Sequence, residues 1–283
     1  MIDRPVVAGV DSSESAGHAV RWAAIDAALH GAELHLVFAV PPFVETPLDD
    51  NPVRLWHDEY RQTAEQALAD AARAAVQFAA PYGDIKTRTF LVDAPPIPTL
   101  NALAATARYV VVGSRGLGAY HRSLLGSVSM AVTRHALGPV VVVPGEPAPD
   151  STLPVVVGVD GSPYSTRAIE VAFDEASRRG VGLVAVHVWD RLGQSGSGSQ
   201  ERAEKVLADS LAHSRAEFPG VSVRSVVAED RPVRALLAES EAAQLVVVGS
   251  HGVGGFQGMT LGSTGEALLP VVGCPIAIVR LRN

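Results

Sequence analysis

Apolar residues fall along this chain in short β-branched runs, separated by longer stretches with helical spacing. PVVAGV (5–10) opens the series and reads as a buried strand, with none of the polar alternation of a half-exposed one. From about Ser13 the residues Ala16, Ala19, Val20, Ala23, Ala24 and Ala27 recur at helical spacing. Ser13 stands where a cap belongs, and Glu14 lies in the first turn, where negative charge suits the helix dipole. The pattern then predicts a strand over 33–40, a proline-rich loop (PPFVETPLDDNP) and a long alanine-rich helix to about 79. A strand near 85–92, a helix near 97–107, a strand over 109–113, a glycine-rich loop, a helix over 127–137 and a strand over 139–143 complete the series.

The series is then written a second time. PVVVGVDGS (154–162) repeats PVVAGVDSS (5–13), and LVVVGSHGVG (245–254) repeats YVVVGSRGLG (109–118). Two homologous domains follow, 1–145 and 153–283, joined by a linker with the Pro and polar character of PGEPAPDSTLP (144–154). The second copy predicts strands near 154–159, 182–189, 221–228, 244–249 and 275–280. Ser162 followed by Pro163 reads as a cap with proline at the first helical position. Strands alternating with helices imply an α/β fold, a parallel sheet with helices on both faces. Short right-handed crossovers favour a doubly wound, five-stranded architecture. The second copy is the shorter, most simply in the loop after its second strand.

Composition narrows the function classes. Of the 283 residues, 47% are hydrophobic and 19% charged, a globular balance. The net charge of −7, with no run of like charges, argues against a dedicated nucleic-acid binder. A single cysteine, Cys274, excludes an intrachain disulfide and a zinc cluster, and a small buried thiol is its expected role. No signal peptide and no membrane-spanning stretch is visible, so a soluble cytoplasmic protein is expected.

The candidate chemistry lies in the duplicated loop. Residues 113–127 (GSRGLGAYHRSLLGS) and 249–263 (GSHGVGGFQGMTLGS) share two glycines three apart, nine further residues, then Gly-Ser. The glycines are Gly113, Gly116 and Gly126 in the first copy and Gly249, Gly252 and Gly262 in the second, followed by Ser127 and Ser263. A glycine-rich strand-to-helix connection brings backbone N–H groups up to a phosphate, and the terminal Gly-Ser adds a hydroxyl at the favourable end of a helix dipole. In the order 3-2-1-4-5 this loop shares a crevice with the loop after the first strand, where Asp11 and Asp160 stand. The aspartates can accept hydrogen bonds from ribose hydroxyls or cap the following helix. The glycines can equally be plain turn residues and the serines plain caps. Arg115 and His251, between the paired glycines, either touch phosphate or are exposed loop positions.

Sharper enzyme motifs are missing. There is no GxxxxGK[ST], and the only lysines, Lys86 and Lys205, lie far from the loops. The first strands lead into GVDSSES and GVDGSPY, which are not a dinucleotide fingerprint, and there is no GxSxG elbow. The nine histidines show no HExxH or other ligand spacing. The last strands, PVVVV and PIAIV, are apolar edges that need cover, from the other domain, a helix or the linker.

With both loops and both GVD[SG]S turns in view, the chain resembles the universal stress protein family in its tandem-domain, ATP-binding branch. The resemblance covers essentially the whole chain. It implies two tandem Rossmann-like domains of the adenine nucleotide alpha hydrolase-like kind, each a parallel sheet of order 3-2-1-4-5. It implies a dimer-like pairing through the last strands, within the chain or as a homodimer, a protein partner of unknown identity, and two ATP sites, with Mg2+ expected on the nucleotide. Carried over by position, the first site is Gly9, Val10 and Asp11, Ala39 beside adenine, and Gly113, Gly116, Gly126, Ser127, Val128 and Ser129. The second is Gly158, Val159, Asp160, Val188, Gly249, Gly252, Gly262, Ser263 and Thr264. Gly265 replaces Ser129 there, so one hydroxyl is missing and the two sites are expected to differ. The loops after the second strands differ too, and DRLGQSGSGSQ is expected to be mobile. With no base evident for activating water, the expected role is a nucleotide-dependent regulator of stress adaptation or growth, with slow or no hydrolysis. The alternative is an ATPase or phosphotransferase whose catalytic groups come from the strand-2 loops or a partner.

Overall fold

A computed structural model describes residues 4–42, 52–116, 125–146, 152–189, 199–254 and 260–281. Most of the loop expected at PPFVETPLDDNP, part of the linker, residues 190–198 of the loop DRLGQSGSGSQ (190–200) expected to be mobile and the middles of both glycine loops lie outside these residues, while Ser199 and Gln200 of that loop begin a helix. The chain divides into two compact units, Met1–Val143 and Pro144–Asn283.

The first unit runs β1 (Val6–Gly9), α1 (Glu14–His30), β2 (Leu34–Val40), α2 (Pro52–Ala79) and β3 (Thr87–Asp93). It continues with α3 (Pro96–Ala104), β4 (Tyr109–Gly113), α4 (Ser127–His135) and β5 (Val140–Val143). The second repeats the series: β6 (Val155–Val159), α5 (Pro163–Arg179), β7 (Leu183–Trp189), α6 (Ser199–Glu217) and β8 (Val223–Glu229). It ends with α7 (Pro232–Ser240), β9 (Leu245–Gly249), α8 (Ser263–Leu268) and β10 (Ile276–Val279).

Within the first unit the strands lie β3-β2-β1-β4-β5, all parallel. Within the second they lie β8-β7-β6-β9-β10, again all parallel. Each unit therefore has the order 3-2-1-4-5, and winding reverses between its first and fourth strands. Helix α1 packs with α2 and α3 with α4, a layer on each face of the sheet, and α5 with α6 and α7 with α8 do the same.

The sheets form from the valine-rich runs because strands covered on both faces need no polar alternation. Every residue of β4 and of β5 is buried, as is every residue of β10. The outer strands β3 and β8 are half exposed and correspondingly carry Arg88 and Arg224.

The helices that follow the first strands are defined at both ends. Ser13 and Ser162 have extended backbone and accept from the N–H groups of Ala16 and Ser165, each at 3.1 Å. Pro163 occupies the first turn of α5. At the other end Gly31 and Gly180 take φ of 63° and 65°, the left-handed cap that a Cβ penalises. The caps thus aim α1 and α5 out of the two crevices beyond β1 and β6.

Candidate functional site

At the carboxyl end of β1 the chain passes through Val10, whose N–H donates to the Val37 carbonyl at 2.9 Å, and reaches Asp11. Asp11 Oδ1 accepts from the Ser13 N–H at 3.1 Å and from the Ser13 hydroxyl at 2.6 Å. Asp160 Oδ1 accepts from the Ser162 N–H at 2.9 Å, and its Oδ2 from the Val253 N–H at 3.0 Å. Each aspartate thus steadies the cap of the next helix. In the second unit it also ties that turn to the glycine loop. These carboxylates hold the turn and face a cavity at once.

The ends of both glycine loops are pinned in the same way. Ser114 N–H donates to Val143 O at 2.9 Å, and Gly126 N–H returns to Ser114 O at 2.7 Å. Ser250 N–H donates to Val279 O, and Gly262 N–H to Ser250 O, both at 2.7 Å. A Cβ on Gly116 would stand 2.5 Å from Asp11 Oδ2, and one on Gly252 equally 2.5 Å from Asp160 Oδ2. The second glycine of each loop therefore lies directly against the aspartate of the first-strand loop.

The first glycine lies against a helix. A Cβ on Gly113 would stand 2.5 Å from the Ser15 carbonyl oxygen, and one on Gly249 would stand 2.8 Å from Tyr164 Cβ. It is the first turn of α1 or α5 that requires these glycines, and none of the described loop glycines has positive φ. Close approach to a helix leaves no room for a side chain at Gly113 and Gly249, which also line the cavities. Ser129 is 5% exposed, and its hydroxyl donates to the Gly113 carbonyl at 2.6 Å. The hydroxyl that Gly265 lacks is thus one that braces the loop from within. Leu261 fills that space, its Cδ1 3.3 Å from where a Gly265 Cβ would be.

Glycines also cap the helices that follow. Gly126 and Gly262, extended at φ −62° and −71°, carry no side chain to satisfy the first N–H groups of α4 and α8. Those N–H groups belong to Ser127, Val128 and Ser129, and to Ser263, Thr264 and Gly265, and all six residues line a cavity.

The first unit's cavity measures about 520 Å³ and the second's about 330 Å³, both within the range of small-ligand sites. Gly9, Val10, Asp11 and Ala39 line the first, with Gly113, Arg115, Gly116 and Gly126. Gly158, Val159, Asp160 and Val188 line the second, with Gly249, His251, Gly252 and Gly262. In each unit the structure brings all the residues expected from the sequence around one cavity. Sequence reasoning missed the apolar wall opposite the loop, formed by Pro96 and Leu100 of α3 and by Pro232 and Leu236 of α7. The repeated Pro-x-x-x-Leu spacing was the available signal.

Arg115 is the only cation among the described residues lining the first cavity, and His251 stands at the equivalent place in the second. The His251 ring lies 5.0 Å from that of Tyr164, and its Nδ1 pairs with the Ser250 hydroxyl at 3.0 Å. Tyr60, from α2, also reaches the first cavity, where burial and then the Asp11 charge push its hydroxyl above the usual tyrosine range.

Two doubly wound units, each with a glycine-capped helix end aimed into its switch-point crevice, define a class. The chain belongs to the universal stress protein family, which matches residues 4–144 and again 152–280. It is 40% identical to Universal stress protein Rv2623 of Mycobacterium tuberculosis, over 97% of this chain and 96% of that protein. It is 41% identical to Universal stress protein Rv2005c of the same organism, over 97% and 96%. The crystal structure of a universal stress protein from Archaeoglobus fulgidus DSM 4304 superposes over the full length of both chains with a TM-score of 0.76 at 23% identity, which shows a shared fold. No helix among the described residues is long and apolar enough to cross a membrane.

Proposed function

We propose that each unit binds one ATP and that the protein is a nucleotide-dependent regulator of stress adaptation or growth, not a dedicated catalyst. The observation that carries this reading is the pairing, in both units, of an uncapped helix N-terminus with a carboxylate across one cavity. Free N–H groups and the positive end of a helix dipole suit phosphate. A carboxylate at the end of the first strand suits ribose hydroxyls. The apolar wall from Leu100 or Leu236 suits a base. Family membership supports the same reading.

Regulation is favoured over catalysis by what the carboxylates already do. Asp11 and Asp160 are the only carboxylates among the described residues lining the cavities. Asp11 accepts two bonds from Ser13, and both oxygens of Asp160 are engaged by backbone N–H groups. Each keeps lone pairs that ribose hydroxyls can use, and its engagement with the turn makes it a positioning group more than a proton carrier. Magnesium would be carried by the triphosphate, with Asp11 or Asp160 the carboxylate that each cavity's described residues offer. ATP then acts by favouring one conformation or partner over another, through its differential affinity for the two states.

The test is to denature the purified protein, identify any released nucleotide and then follow turnover. Bound adenine nucleotide with turnover far below about 1 per second, the lower end for ordinary enzymes, is expected. Turnover within the enzymatic range would favour the phosphotransferase reading, and undetectable affinity for ATP would remove both.

A further inference from the structure

The two cavities differ most where a base would lie. In the first unit Tyr60 meets Phe38 edge-on, with ring centroids 5.8 Å apart at 72°. Phe38 is 1% exposed and reaches the cavity wall itself, so Tyr60 stands on a fixed aromatic support. Tyr60 lines the same cavity as Asp11, the carboxylate assigned to ribose.

Among the described residues, the second cavity is lined by no Phe, Tyr or Trp. Strand register puts His187 where the first unit has Phe38, and His187 instead turns Nδ1 to the Val159 carbonyl at 2.8 Å. Matching the buried Ala64 and Leu68 to Ala203 and Leu207 puts Ser199 opposite Tyr60. No described residue of α6 lines the second cavity, and Val188 replaces the smaller Ala39. Granted the nucleotide reading above, we propose that Tyr60 gives the first unit the tighter hold on the base. The base stacks on the Tyr60 ring. The second unit grips a nucleotide by phosphate and ribose and holds the base weakly. Aromatic stacking on a base changes affinity by about tenfold or more, enough to separate two otherwise similar sites.

The experiment isolates each site, the first in a Gly252→Ala background and the second in a Gly116→Ala background. Calorimetric titration with ATP, CTP and inorganic tripolyphosphate then reads base and phosphate recognition separately. The first site should prefer ATP to tripolyphosphate by a factor about tenfold larger than the second site does, with a modest further preference for the larger purine of ATP over the ring of CTP at the first site. Tyr60→Ser should lower ATP affinity at the first site by about tenfold and leave tripolyphosphate within about twofold, whereas Tyr60→Phe should keep the preference. If Tyr60→Ser fails to fold, Tyr60→Leu keeps an apolar cover over Phe38 and is read by the same ATP-to-tripolyphosphate ratio. An unchanged ratio, or an equal ratio at the two sites, overturns the role of Tyr60 while leaving nucleotide binding in place. Failure of the wild-type protein to bind either ATP or tripolyphosphate removes the nucleotide reading, and this proposal with it.

Discussion

Asp11 and Asp160 each steady a helix cap and line a cavity, and the glycines around them divide the same way. Gly116 and Gly252 touch only the far end of an aspartate, whereas Gly113 and Gly249 touch the first turn of a helix. Gly116→Ala should therefore weaken ATP binding at the first site by at least about tenfold, through a displaced carboxylate and loop, with little change in melting temperature. Gly113→Ala should cost about 1–3 kcal/mol of stability, because Ser15 backbone must move; denaturant titration checks it. Ser12 takes φ of 65° where the second unit has Gly161 at 80°. Ser12→Gly should thus be neutral to stabilising by up to about 1 kcal/mol, by relief of left-handed strain against added backbone freedom. Cys274 is buried, and burial pushes its thiol up to about 12. The unfolded thiol ionises at lower pH, so this contribution to stability is complete below the unfolded value and is lost as pH rises through about 12. Alkylation of Cys274 at pH 8 should be slow in the native protein and fast in urea. The aspartates and loop glycines were legible in the sequence because duplication marked them. The split between Gly113 and Gly116 was not, since both are glycines before a loop, and only the packing of Ser15 separates them. The place of Ser129 beside the loop was legible, but the acceptor of its hydroxyl on Gly113 was not.

Elements were easier to read than contacts. The valine runs of β4, β5, β9 and β10 could be placed because strands covered on both faces leave an uninterrupted apolar signature. The caps at Ser13 and Ser162 could be placed because a small polar residue before a helical run has a mechanism behind it. Helix α3 ends at Ala104, short of the expected 107, because a turn carries the chain from Ala105 into β4 while its composition stays helix-compatible. Nothing local announced that α3 and α7 supply the apolar walls, since their Pro and Leu residues acquire that role only through the sheet order. Ser13 is the residue whose loss should be felt most widely across elements: it caps α1, holds Asp11 and donates toward the Arg115 carbonyl at 3.4 Å. Ser13→Ala should cost about 1 kcal/mol, a fall of roughly 3 °C in melting temperature, and should also weaken ATP at the first site. Ser162→Ala should do the same for the second unit, and unchanged melting in both would contradict the capping role.

At the scale of the whole chain the two units are one design in two versions. Topology, caps, pinned loop ends and the approach of Gly116 or Gly252 to its aspartate are common to both. The larger aromatic cavity belongs to the first, and the smaller one, with His251 in place of Arg115, to the second. On the proposed nucleotide reading, two unequal sites would respond over a wider range of concentration than two identical ones. The account rests on both cavities being nucleotide sites, and stoichiometry tests that most directly. Calorimetric titration of the purified chain, stripped of nucleotide, should give two ATP per chain, one in either the Gly116→Ala or the Gly252→Ala protein, and none at comparable affinity in the double variant. A wild-type chain without saturable ATP binding, or a double variant that binds as the wild type does, would contradict it.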